Sequence, residues 1–290
     1  MSLHSLQQLL QLAEEEQITL GEAVLQIEAG ALQVPESALY EQMESTVQVM
    51  RSAVERGIKE EIRSFSGLSG GAARSLSCSE GRLLQGLVKK AMAYALAVSE
   101  VNASMGKIVA APTAGSSGIL PGVLLAAAED LQSSDHELIM SLFAAAGVGQ
   151  VIGQVASLSG AEGGCQAECG SAAAMAAVGV VELADGTPRQ ALAAGALALK
   201  NGLGLVCDPV AGLVEVPCVK RNALHALSAL GAAELALSGI DSVIPLDEVI
   251  EAMGEIGHSM PRELRETALG GLAKTKTAQE ITRRLFAVEH

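Results

Sequence analysis

A chain of 290 residues with a formal charge of −14 lacks the basic face that phosphate backbones require, which argues against a nucleic-acid role. Hydrophobic residues make up 49%, yet aromatics are only 2% and Trp is absent, so the apolar content is largely Ala, Leu and Val. With 31 Gly added, this composition predicts an all-α protein, a compact bundle of closely packed Ala/Gly-rich helices with functional loops between them.

The chain opens on amphipathic, acidic residues rather than a basic-apolar leader, so the reducing cytoplasm is the expected compartment. Leu3, Leu6, Leu10 and Ala13 predict a short amphipathic helix. Thr19 and Glu22 form a capping-box pattern opening a second helix that ends at Gly30. Residues 1–35 thus read as an N-terminal helical extension of one domain spanning 1–290. Pro35 starts a long helix whose apolar stripe runs Leu39, Met43, Val47, Met50, Val54, Ile58, Ile62. Residues 64–79 read as a loop in which Ser66-Gly67-Leu68-Ser69-Gly70-Gly71 offers backbone donors suited to an anion or to a flexible turn. Helix is predicted to resume over 80–101.

The next loop, 111–122, is rich in Gly and hydroxyls and runs into a helix predicted over 123–131. Its donors suit a substrate carboxylate, and Thr113, Gly115, Ser116 and Ser117 are the candidate substrate-binding residues. Ser134 and Glu137 form another capping box, opening a helix to about Leu158. Within it, Leu138–Leu158 is the longest weakly polar stretch of a chain with a mean hydropathy of +0.36, and Gln150 and Gln154 interrupt it. It reads as a buried helix of a soluble protein, with a small membrane protein as the rival. Helices are further predicted over 171–184, over 188–202 after the Thr187-Pro188 start signal, and over 222–237 and 246–256. Residues 203–206 alone resemble a strand.

Four of the five cysteines, Cys165, Cys169, Cys207 and Cys218, fall in two stretches dense in Gly and Pro that read as loops. Zinc favours paired thiols at short spacing, which Cys165 and Cys169 satisfy and Cys207 and Cys218 do not. A dithiol redox site would need C-x-x-C. An iron–sulfur cluster tolerates scattered ligands, and buried packing thiols are the bland alternative.

The segments Gly163-Gly164-Cys165-Gln166-Ala167-Glu168, Cys207-Asp208-Pro209-Val210, Val216-Pro217-Cys218 and Arg221-Asn222, with the 111–121 loop, resemble the α chain of iron–sulfur-dependent L-serine dehydratases. The resemblance runs from about Ser37 to the end. It implies a [4Fe–4S] cluster held by Cys165, Cys207 and Cys218, with Cys169 a packing residue and Cys78 no ligand. It implies a lyase of amino-acid catabolism and gluconeogenesis that converts L-serine to pyruvate and ammonia, the open iron acting as Lewis acid on the hydroxyl.

Single-chain members end in a further cysteine, whereas this sequence ends Phe286-Ala287-Val288-Glu289-His290. They also carry a Ser-Ser-Ser-His-Thr segment that nothing here matches. Two-chain members keep that segment on a β chain with an ACT domain, so a heterodimer is expected and the general base is unassigned. Asp208 and Glu168 adjoin ligands and read equally as ligand-orienting groups or turn caps. His225 and His258 read as structural, and Lys200 as the weaker pyridoxal-phosphate alternative. Rival functions are a cluster lyase acting on L-threonine or L-cysteine, and a non-catalytic zinc-binding subunit.

Overall fold

The computed structural model describes residues 3–287. The tail without a cysteine falls partly at 288–290, outside the described residues. Among the described residues the regular structure is helical: α1 Leu6–Glu16, α2 Leu20–Leu32, α3 Glu36–Lys59, α4 Ala72–Cys78, α5 Gly86–Ala103, α6 Ile119–Leu131 and α7 Asp135–Val155 come first. They are followed by α8 Gly160–Gly163, α9 Ser171–Leu183, α10 Pro188–Gly202, α11 Cys218–Leu237, α12 Leu246–Ser259 and α13 Lys276–Phe286. The expected all-α class holds.

Helix α9 is the axis of the bundle. Every residue from Ser171 to Val181 is buried, and α6, α7, α10 and α11 pack around it. A helix apolar all round has no solvent face to present, so it can only be central. The small side chains set the spacing. A Cβ on Gly57 of α3 would lie 2.5 Å from the Ala97 backbone of α5, and one on Gly122 of α6 would lie 2.6 Å from Ala95 N. The helices therefore pack on backbone, with few bulky residues to fill gaps.

The capping boxes act as the sequence predicts. Thr19, Ser134 and Thr187 each accept an N–H three residues on, and Glu22, Glu137 and Gln190 reach back to the cap. Helix α7 is long and apolar enough to cross a membrane, but 72% of its apolar window is buried against other helices of the protein. Leu3, Leu6, Leu9 and Leu10 of the N-terminal segment share the same apolar core as Ile250 and Met253 of α12. Asp247 of α12 caps the start of α1, accepting from Leu6 N–H and Gln7 N–H at 2.9 Å each.

Several boundaries depart from the sequence reading. The predicted 64–79 loop contains α4, whose first amides, Ala72 and Ala73, are capped by the Glu100 carboxylate of α5. Helix α3 stops at Lys59, so Ile62 is buried from a loop rather than from the stripe. Residues 203–206 form no strand; among the described residues there is one isolated parallel bridge, between Cys207 and Arg265. Helix α13 has a strongly amphipathic sequence that the reading passed over.

The cysteine stretches depart most. Residues 166–170 form a single π-helical turn running straight into α9, placing Cys165 and Cys169 on helical backbone. Cys218 is the first residue of α11, four residues before the predicted start. Only Cys207 lies in extended loop backbone. Gly and Pro at these positions mark helix starts as well as turns, which is why the loop reading failed.

Candidate metal centre and active site

Cys165, Cys169, Cys207 and Cys218 are all buried and unpaired by disulfides, whereas Cys78 is exposed at the end of α4. Cys165 sits ahead of the π turn because Gln166 anchors that turn: its amide nitrogen donates to Met253 O and its amide oxygen accepts from Gly204 N–H. Cys207 is held by backbone pairing, its N–H donating to Leu264 O at 2.8 Å and its O accepting from Glu266 N–H at 2.7 Å. Cys218 is fixed by α11.

Glu168 joins the thiols to the 111–118 loop. One carboxylate oxygen accepts from Thr113 Oγ1 at 2.7 Å, and the other lies 3.7 Å from Cys207 Sγ. Gly115 and Gly160 leave room for it, since a Cβ on either would come within 2.8 Å of a Glu168 oxygen. Of the candidate substrate-binding residues, Thr113 and Gly115 therefore border Glu168, which in turn contacts Cys207. Ser116 and Ser117 are fully buried; Ser117 Oγ donates to Ala114 O, and Ser116 Oγ lies 3.2 Å from Thr113 Oγ1. Those two hydroxyls hold the loop together.

Asn222 and Arg221, which sequence reasoning placed in the pattern without a role, lock the loops to one another. Asn222 Nδ2 donates to Gly115 O and to Cys218 O, and its Oδ1 accepts from Gly118 N–H. Arg221 donates to Val206 O at 2.8 Å and to Asp208 at 3.0 Å. Asp208 in turn accepts from Leu272 N–H at 2.7 Å, which pins the C-terminal segment onto the Cys207 loop. A Cβ at Gly271 would collide with the Asp208 carboxylate at 2.4 Å, so glycine is required there.

Burial, the nearby Glu168 carboxylate and the other thiols push the Cys207 thiol up. Burial and Cys165 push Cys218 up to about 12. Cys165 is pulled down instead, by the hydrogen bond from Cys169 and by the Arg221 charge. The Cys165 bond and burial hold Cys169 well above the ordinary thiol range. Burial raises Glu168 as well, against the bond from Thr113. Thiolates of Cys207 and Cys218 would thus need a cation beside them, which is what a metal centre supplies. Among the described residues no three His, Cys, Asp or Glu side chains are grouped to ligate a single ion. Buried thiols are the donor type that an iron–sulfur cluster takes.

Other candidates take structural places. His225 Nδ1 donates to Arg221 O, and burial lowers that imidazole's pKa. His258 Nδ1 donates to Gly254 O. Lys200 Nζ donates to Ser242 O. The proposed anion cradle at 66–71 already faces a carboxylate of the protein, with Ser66 Oγ donating to Glu215 at 2.7 Å.

Among the described residues, a helical bundle brings buried thiols against a carboxylate and a hydroxyl. The chain belongs to the serine dehydratase alpha chain family, which it matches over residues 15–273. It is 48% identical over 285 residues to the "Probable L-serine dehydratase, alpha chain" of Bacillus subtilis, covering 97% of this chain and 95% of that one. It is 44% identical over 284 residues to the "L-serine dehydratase, alpha chain" of Peptoniphilus asaccharolyticus, covering 97% of both. It also resembles the "L-serine dehydratase" of Streptomyces coelicolor, at 38% over 273 residues, covering 92% of this chain but 59% of that longer one.

Proposed function

We propose that this chain is the α subunit of an L-serine dehydratase, converting L-serine to pyruvate and ammonia in the cytoplasm. The observation that carries the reading is the continuous contact from Thr113 through Glu168 to Cys207, which joins a polar substrate loop to a buried thiol set. Cys165, Cys207 and Cys218 would hold a [4Fe–4S] cluster. Bound there, the cluster would supply Lewis-acid chemistry toward the serine hydroxyl.

The residues of this chain then have separate tasks. Thr113 and the Gly115 backbone orient the substrate, with the Thr113 hydroxyl aimed by Glu168. Asn222 keeps that loop at a fixed distance from Cys218. Arg221 offsets thiolate charge at Cys165 and braces the Cys207 loop through Val206. Cys169 hydrogen-bonds Cys165 and packs, without serving as a ligand. Loss of the Cα proton and of hydroxide gives aminoacrylate and water, and hydrolysis of the imine tautomer gives pyruvate and ammonia. The names of the α-chain relatives support a β chain as partner, which would supply the remaining catalytic segment and an ACT domain.

The test is co-expression with a β chain from the same source, anaerobic purification, and assay of pyruvate from L-serine. Iron and acid-labile sulfide in stoichiometric amounts with serine turnover are expected. Stoichiometric zinc without labile sulfide would overturn the cluster, and faster turnover of L-threonine or L-cysteine would reassign the substrate.

A further inference from the structure

A cavity of 560 Å³ lies behind the cysteine loop, between the end of α7, α8, α12 and the 262–267 segment. Gly163 and Ala167 form part of its wall, and no cysteine is among its lining residues. Ala167 faces this cavity, while its neighbour Glu168 contacts Thr113 and Cys207.

The polar lining is Ser157, Glu162, His258, Arg262, Arg265 and Thr267. In a chain with a formal charge of −14, two guanidiniums on one concave wall are unusual, and neither appears in a salt bridge. Arg265 reaches only the backbone oxygen of Glu162, at 3.4 Å, and its buried Nε–H has no hydrogen-bond partner. A buried unpaired guanidinium donor is costly unless something accepts from it. Opposite in sign, the Glu162 carboxylate is held at the same cavity by Ser157 Oγ at 2.6 Å.

Paired guanidiniums suit a carboxylate, and a separate carboxylate suits an ammonium. We infer that the cavity is a second binding site for a small α-amino acid, its carboxylate on Arg265 and Arg262 and its ammonium facing Glu162. The site goes beyond the dehydratase reading, because it requires neither the thiols nor turnover. The Cys207 backbone is bonded to Leu264 O and Glu266 N–H on either side of Arg265, so an occupant that steadies Arg265 steadies the Cys207 loop.

The probe is L-alanine, which carries both charges of an α-amino acid but no hydroxyl to lose. Titrated into the full chain by calorimetry, it is expected to bind saturably. Arg265→Gln is expected to weaken that binding at least tenfold, and Thr113→Ala to leave it unchanged. Glu162→Gln is expected to weaken L-alanine by a similar factor while leaving pyruvate, which lacks the ammonium, unaffected. Circular dichroism at 222 nm checks that each variant keeps its helices; Glu162, an exposed residue, serves if Arg265→Gln does not fold. Absence of saturable binding, or binding insensitive to both charge changes, would overturn the site. Loss on Thr113→Ala alone would place the ligand at the thiol site instead. Failure here leaves the serine-to-pyruvate assay untouched, and the reverse holds as well.

Discussion

Arg221 and Asp208 form a buried ion pair at 3.0 Å, with side-chain exposures of 16% and 4%, that holds three parts of the site in register. Through it the Cys207 loop, the first turn of α11 and the C-terminal segment share one fastening. Removing one partner leaves an uncompensated buried charge, at a cost of about 3–5 kcal/mol. Arg221→Met and Asp208→Asn are each expected to lower stability by about that amount in denaturant unfolding followed by circular dichroism. Arg221→Lys is expected to rescue little, because one ammonium lacks the planar fork that serves Val206 O and Asp208 together. A loss below about 1 kcal/mol in both would show the pair to be dispensable.

The ligand assignment divides the buried cysteines unequally. Cys165→Ser, Cys207→Ser and Cys218→Ser are expected to abolish iron and labile sulfide content and pyruvate formation. Cys169→Ala should retain both, since that thiol only bonds its neighbour. Aeration of the wild-type enzyme is expected to remove activity along with iron. Full iron in the Cys207 variant, or none in the Cys169 variant, would redraw the set.

Asn222 bridges the substrate loop and the Cys218 helix by three hydrogen bonds. Asn222→Ala leaves Gly118 N–H and Gly115 O without partners, at about 1–3 kcal/mol each. The expected kinetic outcome is a rise in KM for serine of tenfold or more with iron content unchanged, measured on the assembled enzyme.

Far from the thiols, Glu182 at the end of α9 accepts both contacts from Gly21 N–H, at 3.0 and 3.2 Å. Burial raises its pKa from 4.5 to about 7, against that backbone bond. A carboxyl with a raised folded pKa favours the protonated folded state. Its contribution is complete below about 4.5, fades as pH climbs through about 7, and is constant above. Wild type is therefore expected to lose on the order of 2–3 kcal/mol relative to Glu182→Gln across that window. Denaturant unfolding of both proteins at pH 4.5, 6 and 8 measures it; parallel profiles would refute the assignment.

Close helix contact makes a further prediction. Gly57→Ala forces a methyl to within 2.6 Å of the Ala97 Cβ, and overpacking of this kind costs about 1–3 kcal/mol. An unchanged melting temperature would mean that α3 and α5 part freely.

Local chemistry explains what was legible beforehand. Thr19, Ser134 and Thr187 begin helices because each signal closes within four residues, and a sequence displays such signals directly. The Ala, Leu and Gly content points to a helical bundle packed on backbone, and the segments around Cys165, Cys207 and Cys218 with the 111–121 loop carry the family resemblance. Tertiary structure decided which donors and charges meet. The 66–71 loop looked like an anion cradle, yet its Ser66 hydroxyl meets Glu215, 149 residues away. Glu168 gained its contact with Thr113, the Cys218 helix began early under the Asn222 bridge, and Arg265 was left facing a cavity. Such pairings depend on chain segments brought together from long separations, and local periodicity holds no record of them.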